Sequence, residues 1–266
     1  MTADWSTFAI TGGTIDLPPN PNVLGDYEWG VIASAQNSLF PANPGVGLQQ
    51  AASQFGFSDV APFTNQLTNA VGHAGIVNGM MEVDGAAQAD GTNTLWARGG
   101  GFDYRDLDFF IPGNLGQFVT LTFSIDYSYL QSLNRGGLAG TAMAYSDINL
   151  NLAERDAEGN QHIFANAVQP FQHTLPSASS FETFGANGTI ALVHTLEQGR
   201  QYRIEVTTFT ESNAVVPDCN ENGIGDAVDI ANCLGDPACA DCNANGIPDV
   251  CDLDCDRNGV PDNCEC

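Results

Sequence analysis

The chain has no lysine. Its seven basic residues are all arginine, set against 32 acids, for a formal net charge of −25. Such a chain repels nucleic acid and anionic membrane and attracts cations. Without lysine, lysine-based isopeptide crosslinks cannot form within or between copies. Cysteine is absent from the first 218 of 266 residues. No apolar run reaches the length of a membrane-spanning helix, so membrane insertion is not expected. The start, MTADWSTFAITGG, has neither a basic n-region nor an apolar h-region. The expectation is that a leader has been removed or that the numbering begins at the mature protein.

Catalytic signatures are missing as well. There is no H-E-x-x-H pair, no G-x-S-x-G elbow and no phosphate loop. His73, His162, His173 and His194 show no paired spacing. His194 alternates with Ile190, Leu192 and Leu196, which places it on a strand face. Asp106, Asp108 and Glu205 would serve a glycosidase only if folding made a carboxylate pair in a cleft. In so acidic a chain, solvated faces are the plainer reading. Trp5, Trp29 and Trp96 would suit a sugar-stacking platform, but aromatics at this density more often build core.

What is present divides the chain in two. Residues 1–217 are 43%-hydrophobic in the manner of the whole chain and rich in period-two alternation. In QFVTLTFSIDYSY (117–129), Val119, Leu121, Phe123, Ile125, Tyr127 and Tyr129 face one way and the Thr, Ser and Asp residues between them the other. Residues 139–153 and 161–168 predict two more strands around an AEGN turn (157–160). TIALVHTL (189–196) and QYRIEVTTF (201–209) flank EQGR as an expected hairpin, with Asn187-Gly188 as the turn before it. Shorter strands are expected in 27–35, 75–83, 94–98 and 106–112. Residues 36–70 read as long loops with a short helix near 47–55. The fold class is therefore all-β, an antiparallel sandwich of jelly-roll-like type.

Residues 218–266 hold all eight cysteines: 219, 233, 239, 242, 251, 255, 264 and 266. A dense, even set in a core-poor segment reads as a disulfide framework made in an oxidising compartment, which places the protein outside the cell or on its surface. Eight cysteines allow 105 pairings, and spacing does not choose among them. Val215-Val216-Pro217 marks the expected joint.

This segment repeats one loop three times. DCNENGIGDAVD starts at Asp218, DCNANGIPDVCD at Asp241 and DCDRNGVPDNCE at Asp254. Position 1 is Asp218, Asp241 and Asp254. Position 3 is Asn220, Asn243 and Asp256, and position 5 is Asn222, Asn245 and Asn258. Position 6 is always glycine. Position 7, which would offer a backbone carbonyl, is Ile224, Ile247 and Val260. Position 9 is Asp226, Asp249 and Asp262. Position 12 is Asp229, Asp252 and Glu265.

This is EF-hand loop spacing, and calcium chemistry explains it. The ion takes six to eight oxygens at about 2.3–2.6 Å. Positions 1, 3 and 5 wrap one side, glycine permits the turn, position 7 gives a carbonyl, and position 12 can give two oxygens. The apolar side chain at position 7 is then expected to face a small core. Twelve acids and one arginine leave this segment at −11, so about three calcium ions would relieve repulsion. Zinc at Cys239-Ala-Asp-Cys242 and Cys251…Cys255 is the competing reading, but it leaves the Asp/Asn ladder unexplained.

The repeats resemble thrombospondin type 3 calcium repeats, with cysteine at position 2 of each loop and position 11 of the last two. They are also similar to dockerin loops, where AVDIANCL (227–234) would be a short exiting helix. The segment lacks a second full helix and departs from the thrombospondin pattern in having Asn at position 5. LEQGRQYRIEV resembles a hairpin of secreted bacterial sandwich and lectin-like modules. The function expected is that of a non-catalytic, extracellular, calcium-binding structural protein acting in surface attachment, matrix or filament assembly. Expected partners are further copies or another extracellular protein. The alternative is a carbohydrate-binding or dockerin-like interaction module that holds a polysaccharide.

Overall fold

Alternation does build the strands of the first region. The computed structural model describes residues 1–17, 28–38, 49–51, 60–67, 70–77, 80–90, 94–134, 140–155, 161–175, 181–234, 239–255 and 261–264. Among the described residues twelve strands run in chain order: β1 (Thr2–Thr11), β2 (Glu28–Asn37), β3 (Gln49–Ala51), β4 (Val60–Leu67), β5 (Ala70–Val77), β6 (Met80–Ala87), β7 (Trp96–Phe110), β8 (Phe118–Asn134), β9 (Thr141–Arg155), β10 (Gln161–Thr174), β11 (Phe181–Glu197) and β12 (Gln201–Val215). They form two six-stranded sheets, β11-β8-β1-β6-β5-β4 and β10-β9-β12-β7-β2-β3, with every pairing antiparallel. The fold is an all-β sandwich.

The core lies between the sheets. From one sheet come Leu121, Phe123, Ile125, Ile190 and Leu192. Leu107, Phe109, Ile148, Leu150, Ile204 and Val206 come from the other. At one end the sheets meet backbone to backbone, because the facing residues are small. A Cβ placed on Gly72 would lie 2.2 Å from the carbonyl oxygens of Gly100 and Ser34, and one on Gly99 2.1 Å from that of Val71. Only glycine admits this approach. Ala35, Ala70 and Ala97 pack around it.

Several expectations are corrected. β11 and β12 do not form a hairpin. β11 pairs with β8 over its whole length, whereas β12 lies between β7 and β9 in the opposite sheet. EQGR is thus a crossover between layers. Both strands show the same alternation because both bury one face in the same core, from opposite sides. Asn187-Gly188 is not a turn but mid-strand, paired with Ser128 and Tyr127. The missing Cβ at Gly188 makes room for the Tyr127 ring, whose hydroxyl would otherwise sit 2.9 Å away.

The helix expected near 47–55 is contradicted at Gln49–Ala51, which extends the sheet as β3 by pairing with Glu28–Gly30 of β2. The remainder of that stretch, and the AEGN turn, lie outside the described residues. β4 occupies part of the expected loop region, and 94–98 and 106–112 are two ends of one long strand, β7. Trp5 is not a surface platform: it is buried, stacked on Phe8 with centroids 4.5 Å apart, and the Arg105 guanidinium lies over its ring 5.1 Å from the centroid. Trp96 is half-buried.

Candidate functional site

After β12 the chain enters the repeated loops, and the described parts of all three close in the same way. The N–H at position 9 donates to the carbonyl just before position 1: Asp226 to Pro217 at 2.9 Å, Asp249 to Ala240 at 2.6 Å, Asp262 to Leu253 at 2.9 Å. The position-9 carboxylate in turn accepts from the N–H at position 2: Cys219 to Asp226 at 2.8 Å, Cys242 to Asp249 at 2.9 Å, Cys255 to Asp262 at 3.0 Å. This two-bond clamp holds the ends of each loop together. Position 9 also starts a helical turn each time: helix α1 (Asp226–Ala231) and two 3-10 turns, Asp249–Cys251 and Asp262–Cys264.

Inside the first two loops the geometry repeats atom for atom. Asp218 accepts from the N–H groups of Asn222 (3.2 Å) and Gly223 (2.9 Å), as Asp241 does from Asn245 (3.0 Å) and Gly246 (3.0 Å). Asn220 and Asn243 accept from position 5, and Asn222 and Asn245 from position 7. These short Asx-type bonds curl the backbone around the side-chain oxygens. Gly223 and Gly246 have φ of +87° and +83°, with open space where a Cβ would stand. Here glycine is needed for conformation rather than room. Glu221 and Ala244, at position 4, also adopt positive φ, 55° and 57°.

Position 12 completes the ring. Asp229 accepts from the amides of Asn220 (3.2 Å) and Asn222 (2.7 Å). Asp252 accepts from Asn243 (2.7 Å) and Asn245 (3.0 Å). The side chains of positions 3 and 5 therefore meet at the carboxylate of position 12. Each side-chain oxygen that holds a backbone N–H has a further lone-pair direction, so bracing does not use up its ligand capacity. The donor set is hard oxygen throughout, which suits calcium.

One expectation fails. Ile224 and Ile247 do not face a small core; their side chains are 38% and 40% exposed. Only the carbonyl at position 7 need turn inward, and that turns the side chain out. In the third loop Asp254 and Asp262 are described. Asp256, Asn258, Val260 and Glu265 lie outside the described residues, as does Cys266.

The disulfides form a stagger. Cys219, at position 2 of loop 1, bonds Cys251, at position 11 of loop 2. Cys242, at position 2 of loop 2, bonds Cys264, at position 11 of loop 3. Cys233–Cys239 closes the link after α1. Consecutive loops are thus bolted to one another, in keeping with an oxidising environment. Cys242, Asp249 and Cys264 cluster within 4.8 Å. The two sulfurs there are bonded to each other, however, Cys239 is bonded to Cys233 and Cys251 to Cys219, so the zinc reading loses three of its four thiolates. Among the described cysteines Cys255 has no disulfide; its thiol bonds Asp262, which pushes its pKa up.

The carboxylates singled out in the sandwich are placed on the outer face of the second sheet. Asp106 and Asp108 are engaged by Arg203, which is 1% exposed: Nε and Nη2 donate to Asp108 at 2.5 and 3.0 Å, and Nη1 to Asp106 at 2.6 Å. Glu205, opposite Asp106 in the ladder, accepts from Asn151 at 3.0 Å. This ion network, invisible to spacing rules, ties β12 to β7. Asp103, also missed, points inward and is fully buried, and burial drives its pKa well up.

No protein-family model and no curated protein matches the chain. Some solved structures are weakly similar. The enzymatically active domain of bacteriophage CBA120 tailspike protein 4 is 10% identical over 47% of this chain and 19% of its own, with a TM-score of 0.11. This chain thus spans under a fifth of that domain's length. The carbohydrate-binding module TmCBM61, in complex with β-1,4-galactotriose, is 10% identical over 47% of this chain and 87% of its own, with a TM-score of 0.10. Infectious bursal disease virus, Gx strain, gives 10% identity over 82% and 67%, also with a TM-score of 0.10. At these scores the likenesses carry no argument.

Proposed function

We propose that the protein is a non-catalytic extracellular structural protein whose C-terminal segment, residues 218–266, binds about three calcium ions. The observation that carries this reading is the convergence of positions 3 and 5 on the position-12 carboxylate in both fully described loops, with position 1 bracing the backbone of the same turn. Calcium would take the place of the Asn amide N–H groups that now face Asp229 and Asp252, with the Asn Oδ1 atoms turned toward it on the lone pairs that the backbone N–H groups leave free. Metal binding and staggered disulfides together make a stiff, extended segment on a sandwich base. With a net charge of −25, copies repel one another until cations screen them. The function that follows is calcium-dependent self-association or attachment at a cell surface or in a matrix.

Light scattering across calcium concentrations tests the assembly part. Growth in particle size with calcium, reversed by chelation, is the expected result. A protein that stays monomeric at every calcium level and concentration contradicts it.

A further inference from the structure

The calcium reading leaves the outer face of the second sheet unexplained, and its side chains describe a site of another kind. Ladder register sets out the rows. Asn151, Glu205 and Asp106 lie side by side on β9, β12 and β7; Asn149, Thr207 and Tyr104 come next; then Asp147, Phe209 and Phe102; then Tyr145 and Glu211. Their neighbours along each strand, Leu150, Ile204, Val206 and Leu107, belong to the core, which fixes this set as facing away from it. The Arg203 end is buried, and from the Glu205 row onward the side chains are half-exposed, apart from buried Asp106 and Thr207.

Two features separate this face from an ordinary solvated one. Four aromatic rings stand in it, in two tilted pairs: Phe102–Tyr104 with centroids 6.1 Å apart and Tyr145–Phe209 at 5.9 Å. Between them the polar groups are held in place by one another. Asn149 donates to Asp147 (2.9 Å) and Thr207 (3.1 Å), Asn151 donates to Glu205 (3.0 Å), and the Tyr145 hydroxyl donates to Asp147 (2.7 Å). Fixed amides and carboxylates beside half-exposed rings fit a ligand that carries both hydroxyls and apolar C–H faces. Charge narrows the class. The bases described at the borders of these rows, Arg98 and Arg203, are paired with Glu211 and with Asp106 and Asp108, leaving the face anionic. That disfavours acidic ligands.

We propose that this face binds a neutral polysaccharide, its sugar rings stacked on Tyr104, Phe102, Phe209 and Tyr145 and its hydroxyls bonded by Asn149, Asn151, Asp147 and Glu205. Four rows at two residues per step span about 20 Å, room for several sugar units. The opposite sheet offers a contrast. Among the described residues its outer face presents mainly hydroxyls, such as Thr120 bonded to Thr195 at 2.8 Å, without paired rings. The proposal does not rest on calcium binding by the C-terminal loops.

Affinity electrophoresis of the full chain tests it, with and without calcium. The gels would contain soluble neutral polysaccharides (hydroxyethyl cellulose, xylan, glucomannan, galactan) or acidic ones (alginate, polygalacturonate). The expected result is retardation by at least one neutral polymer, weakened about tenfold or more in Tyr104→Ala. Retardation should be unchanged in Thr195→Ala. Should Tyr104→Ala fail to fold, the double variant Asn149→Ala/Asn151→Ala takes its place, with the same expected loss. The proposal is overturned if no neutral polymer retards the protein, if only acidic polymers do, or if binding survives in folded variants of this face.

Discussion

At the residue scale, three groups have consequences that can be measured. Arg203 neutralises two buried carboxylates, Asp106 and Asp108. Arg203→Met would leave both without their counter-charge, and breaking a buried pair in this way costs about 3–5 kcal/mol. Urea unfolding of the sandwich should show that loss; a change within experimental scatter would mean the network is not what holds β7 and β12 together at that end. Tyr145 donates to Asp147, and this bond, then burial, pushes its pKa up to about 12 from 10.0. A raised folded pKa means that the stabilisation is complete below pH 10 and is lost as pH rises through about 12. Phenolate absorbance should show Tyr145 titrating late, and Asp147→Asn should bring it back toward the ordinary value.

Asp103 is different. Burial raises its pKa, so the site favours folding most at low pH and loses that advantage as pH climbs through the folded-state pKa. Melting temperatures against pH should therefore fall less steeply toward neutrality in Asp103→Asn than in the parent.

At the scale of elements, legibility in the sequence was uneven for physical reasons. β8 was plain, since Val119 through Tyr129 alternate without a break and the strand has one buried face. Partnership was not. Alternation says which side of a strand is buried, not which sheet it joins, so β11 and β12 looked like a hairpin and Asn187-Gly188 like its neighbour turn. β1 was overlooked because Ser6 and Thr7 interrupt its pattern; there Asp4 accepts from Ser6 and a register shift lies between Asp4 and Ala9. Arg203 was unremarkable in a row of alternating residues, and only the fold brings Asp106 and Asp108 to it.

The loops were far more legible. Each contains its own ligand candidates within twelve residues, so spacing alone carries the geometry. The disulfide pairing was not legible, because it joins position 2 of one loop to position 11 of the next. Gly246→Ala addresses the loop as an element. Alanine at φ +83° costs about 1–2 kcal/mol, and the strain falls where the ring must close. The expected outcome is loss of one bound calcium with the sandwich's melting unchanged, read by calorimetry and thermal unfolding on the same samples. Removing Cys219–Cys251, which closes 32 residues, should destabilise the paired loops by about 2–4 kcal/mol.

At the scale of the molecule, the two regions differ in what holds them. The sandwich has a continuous apolar core between two sheets. Residues 218–266 have little apolar surface to bury, a net charge of −11 and exposed apolar side chains such as Ile224 and Leu253. Such a segment gains order from covalent bridges and from bound cations. The role proposed for the repeated loops is calcium binding. Calorimetric titration of the oxidised full chain with calcium tests it most directly. About three ions bound, falling by one in Asp229→Asn and by one more when Asp252→Asn is added, is the predicted result. No calcium bound, with the disulfides intact, would contradict it and leave the segment a disulfide scaffold whose Asp/Asn ladder serves only to brace its own turns.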